Sequence, residues 1–257
     1  MEIAYREWEG DPDRAPVLLH HGFAADTGSN WMSTGVVDAL LATGRRVVSI
    51  DARGHGRSDK PHDPRSYDAP VMSDDLRALA DHRGLDRFHL VGYSMGGFVA
   101  LETATRDSRL ASLVVGGIGE GALPGEDDPA GDRVGPPIDR HAVAAALDAD
   151  DPSSARGAGR AFRALADATG ADRLALAAVL RARPHVAGDL GSIACPVLVL
   201  AGDDDPLVAG VDRLVAALGG SRLVTLPGDH LSVVASPGFS AAIIELLDEV
   251  DASDRAG

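Results

Sequence analysis

A serine stands between two glycines in Gly92-Tyr93-Ser94-Met95-Gly96, a G-x-S-x-G pattern. A serine hydroxyl is a weak nucleophile at neutral pH; it needs a base to take its proton and an acid to orient that base. The motif follows an apolar run at 88–91 and precedes a helical stretch starting near Gly97. A serine on such a strand-to-helix turn projects its hydroxyl above the sheet. The flanking glycines allow close backbone approach, and the helix N-terminus faces developing negative charge. Among nine histidines, His230 lies in Pro227-Gly228-Asp229-His230, just after the last apolar run. That is the sheet edge where Ser94 also sits. Gly202-Asp203-Asp204-Asp205-Pro206 ends the preceding run, and any of its three carboxylates has a position suited to orienting the base. The chemistry implied is acyl transfer through a serine ester.

Acyl transfer also needs donors for the oxyanion. Met95, after the nucleophile, supplies one backbone N–H. The other is assigned to Phe23 N–H, in His20-His21-Gly22-Phe23 after the apolar run at 17–19. The Phe23 ring is assigned to a pocket wall, and Tyr93, Leu207 and Leu231 are assigned with it to substrate contact. His89 lies inside a strand and reads as structural; His62, His82, His141 and His185 read as surface groups. His20 and His21 beside Asp51 and His55 raise the question of metal ligation. Adjacent histidines at a strand end point to opposite sides, however, and no H-E-x-x-H or carboxylate cluster is present. No metal and no cofactor is expected.

These groups need a scaffold. Continuous apolar runs at 17–19, 46–50, 88–91, 113–115, 197–200 and 223–226 each end in turn residues. Runs of this kind predict strands buried on both faces. Helical patterns lie between them: 73–83 places Leu76, Leu79 and Ala80 on one face, and Ser236-Pro237 opens a helix carrying Phe239, Ile243, Leu246, Leu247 and Val250. The alternation predicts an α/β fold, a mostly parallel sheet with helices on both faces. Residues 2–9 predict an antiparallel edge hairpin. The rhythm stops between 121 and 188, where GALPGEDDPAGDRVGPP leads into Ala-rich helical pieces at 139–149, 153–169 and 171–183. The domain reading is a core of 1–120 and 189–257 with a small helical insertion at 121–188.

The 257 residues suffice to fold without disulfides or structural metal. Asp and Glu outnumber Lys and Arg by 39 to 24, a net charge of −15. That sign disfavours nucleic acid and anionic lipid as partners, leaving a small molecule. Cys195 is the single cysteine and reads as a buried, inert thiol. The first twenty residues lack the pattern of a secretory signal, and no apolar run approaches a membrane span. A cytoplasmic protein is expected.

In the order HHGF at 20–23, DARGHGRSDKP at 51–61, GYSMGG at 92–97, AGDDDPL at 201–207 and PGDH at 227–230, the chain resembles the α/β-hydrolase superfamily. The resemblance spans about residues 15–235 and implies a triad in the order Ser, Asp, His. It implies Asp205 as the acid, three residues after the glycine, and makes 121–188 a cap over the site. It also implies that Asp51, Arg53, His55 and Ser58 form a structural loop near the site. Two departures stand out. Residues 24–30 are polar and long, and are expected to reshape the pocket entrance. The cap carries Phe162 as its single aromatic residue, which disfavours flat aromatic substrates. The leading expectation is a carboxylesterase-like serine hydrolase acting on a small-molecule ester or acyl substrate. Thioesterase, lactonase, C–C hydrolase and cofactor-free perhydrolase chemistry use the same triad, and GYSMGG and HGF resemble the perhydrolase motifs. Haloalkane dehalogenases and epoxide hydrolases need a carboxylate where this chain has Ser94. A non-catalytic ligand-binding protein on the same scaffold is the alternative from another class.

Overall fold

The computed structural model describes residues 1–123, 138–182, 186 and 188–256. Seven strands form one sheet: β1 (Tyr5–Trp8), β2 (Val17–His20), β3 (Val47–Ile50), β4 (Phe88–Tyr93), β5 (Leu110–Gly116), β6 (Val197–Gly202) and β7 (Arg222–Leu226), in the order β1-β3-β2-β4-β5-β6-β7. All pairings are parallel except that of β1 with β3. The apolar runs of β2 to β6 are continuous because both faces are covered, whereas β7, at the sheet edge, is only half-buried. Leu18, Val48, Leu90, Leu113 and Val199 face α2 (Ala69–His82) and α3 (Met95–Ala104). Val17, Leu19, Val47, Val91, Val114 and Leu198 face α1 (Val36–Ala42) and α8 (Pro237–Ala256). Ser236 Oγ accepts from Phe239 N at 3.3 Å, with Pro237 in the first turn, so α8 starts where the sequence signal puts it.

Residues 2–9 contain one edge strand, β1, rather than a hairpin, because β3 lies between β1 and β2. The link 9–16, with Pro12 and Pro16, carries the chain past β3 instead of turning it back. Ala4 N donates to Ser58 Oγ at 2.8 Å, which ties this edge to the loop after β3.

Between β5 and β6 come α4 (Arg140–Asp148), α5 (Gly157–Thr169) and α6 (Arg173–Arg181), and α7 (Val211–Ala217) joins β6 to β7. Asp139 caps α4 through Ala142 N, and Asp172 caps α6 through Ala175 N, each at 3.0 Å. Val143, Ala144, Leu147, Ala166, Leu176 and Ala177 form a separate small apolar cluster, which also packs on Phe23. Most of the Gly/Pro/Asp-rich segment at the start of this insertion, and His185, lie outside the described residues. No helix among the described residues is long and apolar enough to cross a membrane.

Strand register positions the loops. His20 pairs with both Ile50 and Gly92, Tyr93 with Gly116, Gly116 with Leu200, and Gly202 with Leu226. The chain segments after β2, β4, β5, β6 and β7 therefore emerge side by side at one edge of the sheet.

Candidate active site

At that edge Ser94 adopts φ 53° and ψ −117°. Only Ala24 and Ser94 among the described non-glycine residues have positive φ. Such a conformation costs about 1–3 kcal/mol and persists only where packing enforces it. Here the enforcement is steric. A Cβ at Gly92 would sit 2.2 Å from Gly96 O, and one at Gly96 would sit 2.1 Å from His20 O. The two motif glycines let α3 start directly against β2 and β4, which turns the serine outward.

His230 Nε2 lies 2.9 Å from Ser94 Oγ, and His230 Nδ1 lies 2.7 Å from Asp205 Oδ2. A carboxylate only accepts, so Nδ1 donates to it and Nε2 is left to accept the serine proton. The Asp205 side chain is fully buried, whereas that of His230 remains about one-fifth exposed. The structure separates the three aspartates. Asp203 Oδ1 accepts from Gly228 N at 2.9 Å, Asp204 is exposed, and only Asp205 reaches the histidine.

Tyr93 is not where the sequence reading put it. Its ring is buried behind His230 and packs on it at 5.3 Å, and its hydroxyl donates to His230 O at 2.5 Å. Burial raises its pKa, helped by the nearby Asp205 charge, so it stays a neutral donor. Tyr93 therefore braces His230 from the buried side. It alternates to the opposite side from Ser94, a strand-parity signal available in the sequence. Leu207 lines a small cavity at Ser94, together with Phe98 and Ile118, which sequence reasoning missed. Ile118 follows the end of β5, so the common edge of the strands was the signal for it. Leu231 is 81% exposed and lies outside that cavity.

On the other flank, Gly22 N donates to Asn30 Oδ1 at 2.8 Å. His21 Nδ1 lies 2.8 Å from Gly22 O, and His21 Nε2 lies 2.9 Å from Ala52 N. An amide N–H only donates, so Nε2 accepts and Nδ1–H donates to the carbonyl. That bond orients the peptide whose other end is Phe23 N–H. Thr27 and Asn30 turn inward, and Thr27 N donates to Asp51 Oδ1 at 3.0 Å. The Phe23 ring packs on His55 and on Phe162 of α5, at 5.8 and 5.3 Å.

Asp51, Arg53, His55 and Ser58 are buried and mutually braced. Asp51 accepts from Arg57 N, Ser58 Oγ donates to Asp51 O, and Arg53 pairs with Asp75 at 2.6 Å. Burial pushes His20 and His55 down to about 4, and holds His21 well below the usual histidine range. No group of three metal-ligating side chains is assembled among the described residues. His62 pairs with Asp172 at 3.0 Å, joining the core to α6, and His82 packs edge-on to Tyr5. Cys195 is half-buried and its thiol is pushed up to about 11 by burial. His89 is fully buried, with Nδ1 2.8 Å from Ser112 Oγ and Nε2 3.2 Å from Asp251 Oδ1.

A family model described as the alpha/beta hydrolase fold matches residues 15–134. Over 103 residues the chain is 40% identical to an sn-1-specific diacylglycerol lipase of Mus musculus, covering 39% of this chain and 31% of the lipase. Over 115 residues it is 36% identical to the dihydrolipoyllysine-residue acetyltransferase component of an acetoin cleaving system from Pseudomonas putida, covering 43% of this chain and 30% of that protein. The chain thus spans less than a third of the length of these two curated relatives. The crystal structure of a hydrolase from Pseudomonas aeruginosa superposes with a TM-score of 0.73 at 28% identity, covering 95% of this chain and 94% of that one.

Proposed function

The chain belongs to the α/β-hydrolase superfamily, and from that premise we propose that it is a serine hydrolase cleaving a carboxylic ester, or a closely related acyl bond, of a small molecule. The observation that carries this reading is the unbroken chain from Asp205 through His230 to Ser94, ending on a serine held at a strained positive φ. In the proposed cycle Ser94 Oγ attacks the carbonyl carbon while His230 Nε2 takes its proton. Asp205 keeps the imidazole in the required tautomer and stabilises its charged form. The N–H groups of Phe23 and Met95 receive the oxyanion. His230 then returns the proton to the departing alcohol, leaving an acyl group on Ser94. Water deprotonated by His230 attacks that ester, and the acid leaves as Ser94 regains its proton. Residues 121–188 are read as a cap over the core of 1–120 and 189–257, supported by the Phe23–Phe162 contact.

The test pairs turnover with labelling. Wild type should hydrolyse 4-nitrophenyl acetate and take up one fluorophosphonate, recovered on the peptide containing Ser94. Ser94→Ala should lose both. Wild-type turnover in Ser94→Ala, or labelling elsewhere, would overturn the reading.

A further inference from the structure

Ser94 lines a cavity of about 30 Å³ whose other side-chain walls are Phe98, Ile118 and Leu207. A dry apolar cavity of about 150 Å³ takes a benzene ring, so this cavity has room for only a few non-hydrogen atoms. Resting on the serine-hydrolase reading, we propose that this cavity receives the acyl half of the substrate and restricts it to short chains, about two to four carbons including the carbonyl.

The walls have little freedom to retreat. Ile118 is 1% exposed, and a Cβ added at Gly97 of α3 would meet its Cδ1 at 3.1 Å. Gly119 backs onto the chain beyond Leu207, where an added Cβ would lie 2.2 Å from Ala209 O. The next residue is anchored twice: Glu120 N donates to Ala209 O at 2.9 Å, and its carboxylate pairs with Arg213 at 2.7 Å. Leu207 N donates at 2.8 Å to Asp205 Oδ1, the second oxygen of the carboxylate that holds His230. Moving the Leu207 wall outward would therefore disturb the base.

Product order assigns the cavity to the acyl half. In the proposed cycle the alcohol leaves first and the acyl group stays on Ser94 through the second half-reaction. The group that stays fits a small cavity against the serine, and the group that leaves first needs an open path. Leu231, next to His230 and 81% exposed, marks such an open side.

Two substrate series separate the possibilities: 4-nitrophenyl esters from acetate to decanoate, and acetate esters of alcohols of increasing length. Each is measured as kcat/KM on wild type, Ile118→Ala and Leu207→Ala, alongside melting temperatures. The acyl series should peak between acetate and butyrate and fall at least about tenfold by octanoate, since closed apolar pockets discriminate by roughly that factor or more per misfit group. The alcohol series should be flatter. Either enlarged variant should raise the octanoate-to-acetate ratio at least about tenfold. If Ile118→Ala does not fold, Leu207→Ala decides. A wild type labelled at Ser94 that prefers octanoate, a steeper alcohol series, or folded variants with an unchanged ratio would overturn the acyl-length inference alone. Absence of both labelling and turnover on every ester would overturn it together with the serine-hydrolase reading.

Discussion

At one edge of the sheet, Asp205, His230 and Ser94 are joined at 2.7 and 2.9 Å; between the same sheet and α8, Asp251 of the helix, His89 and Ser112 are joined at 3.2 and 2.8 Å. The residue types are identical and the distances nearly so. The surroundings differ in every respect that chemistry requires. Ser94 follows the last residue of β4 with positive φ and borders a cavity, whereas Ser112 lies in mid-strand, paired with His89 and sealed. The edge histidine turns Nε2 to the serine; the interior one uses Nδ1. Asp251 also accepts from Arg45 at 2.6 Å, and its pKa falls to about 2 as the His89 and Arg45 hydrogen bonds outweigh the effect of burial. A carboxylate already neutralised by a guanidinium has little field left for an imidazolium. Access, strain and uncommitted charge separate a candidate reaction centre from a polar brace.

The largest expected contrast is in catalysis. Ser94→Ala should lower kcat/KM on 4-nitrophenyl acetate by about 10³-fold or more, because serine, base and acid act as a unit. Ser112→Ala should leave kcat/KM within about twofold and instead cost about 1–3 kcal/mol, the usual penalty for stranding a buried partner. A melting scan beside the rate assay reads both, and catalytic loss in Ser112→Ala at unchanged melting temperature would break the contrast. The acids should divide likewise. Asp205→Asn should lower kcat by about 10³–10⁴-fold with the fold intact. Asp251→Asn should keep activity per folded molecule while losing about 3 kcal/mol, since Arg45 and His89 both lose a charged partner in a buried site. Equal loss of kcat in the two variants would erase the distinction.

How far the sequence reaches can be judged from the same two regions. Six of the seven strands were legible as continuous apolar runs; burial on both faces leaves that signature in β2 to β6, whereas β7, at the sheet edge, is only half-buried. The seventh, β1, was legible as a strand but not in its pairing, which depends on a path set by Pro12, Pro16 and β3. The edge set was legible because turn residues mark strand ends, so Ser94, Asp205 and His230 could be put at one edge by order alone. Choosing Asp205 over Asp203 needed the family resemblance, since spacing leaves three neighbouring carboxylates open. Asn30 and His21 were missed as supports of the Phe23 loop. Asn30 reaches Gly22 only because the loop after β2 folds back on itself, and His21 reaches Ala52 only through the register of β2 with β3. The interior set was half visible: His89 read as structural, but Asp251 lies 162 residues away.

A smaller effect is expected at His21, which touches no reacting atom in the proposed cycle and positions the Gly22–Phe23 peptide. His21→Ala should lower kcat about 10–100-fold with KM nearly unchanged, somewhat less than outright loss of an oxyanion donor. His21→Asn, whose amide nitrogen can stand where Nδ1 stood, should recover part of kcat. Equal loss in both variants, tracking a fall in melting temperature, would reduce His21 to a stability role.

The smallest effect is on stability against pH, and it falls on both regions. Burial lowers His20 and His55 to about 4 and moves His21 and His89 in the same direction, the last against the pull of Asp251. In the unfolded chain these rings titrate near about 6.5. Between about 6.5 and 4 the unfolded state therefore binds more protons than the folded one, and stability falls as pH falls. Above about 6.5 the contribution is complete and flat. Asp251, lowered to about 2, adds a loss only below its unfolded value near 3.9. Thermal melts should give a plateau from pH 8 to 7, then a decline of at least about 5 °C by pH 4.5. His55→Phe removes one titrating ring whose Nε2 is buried without a partner among the described residues, so it should shallow the decline between pH 6.5 and 4.5. A melting temperature independent of pH across that window would mean that these histidines are not held neutral by burial.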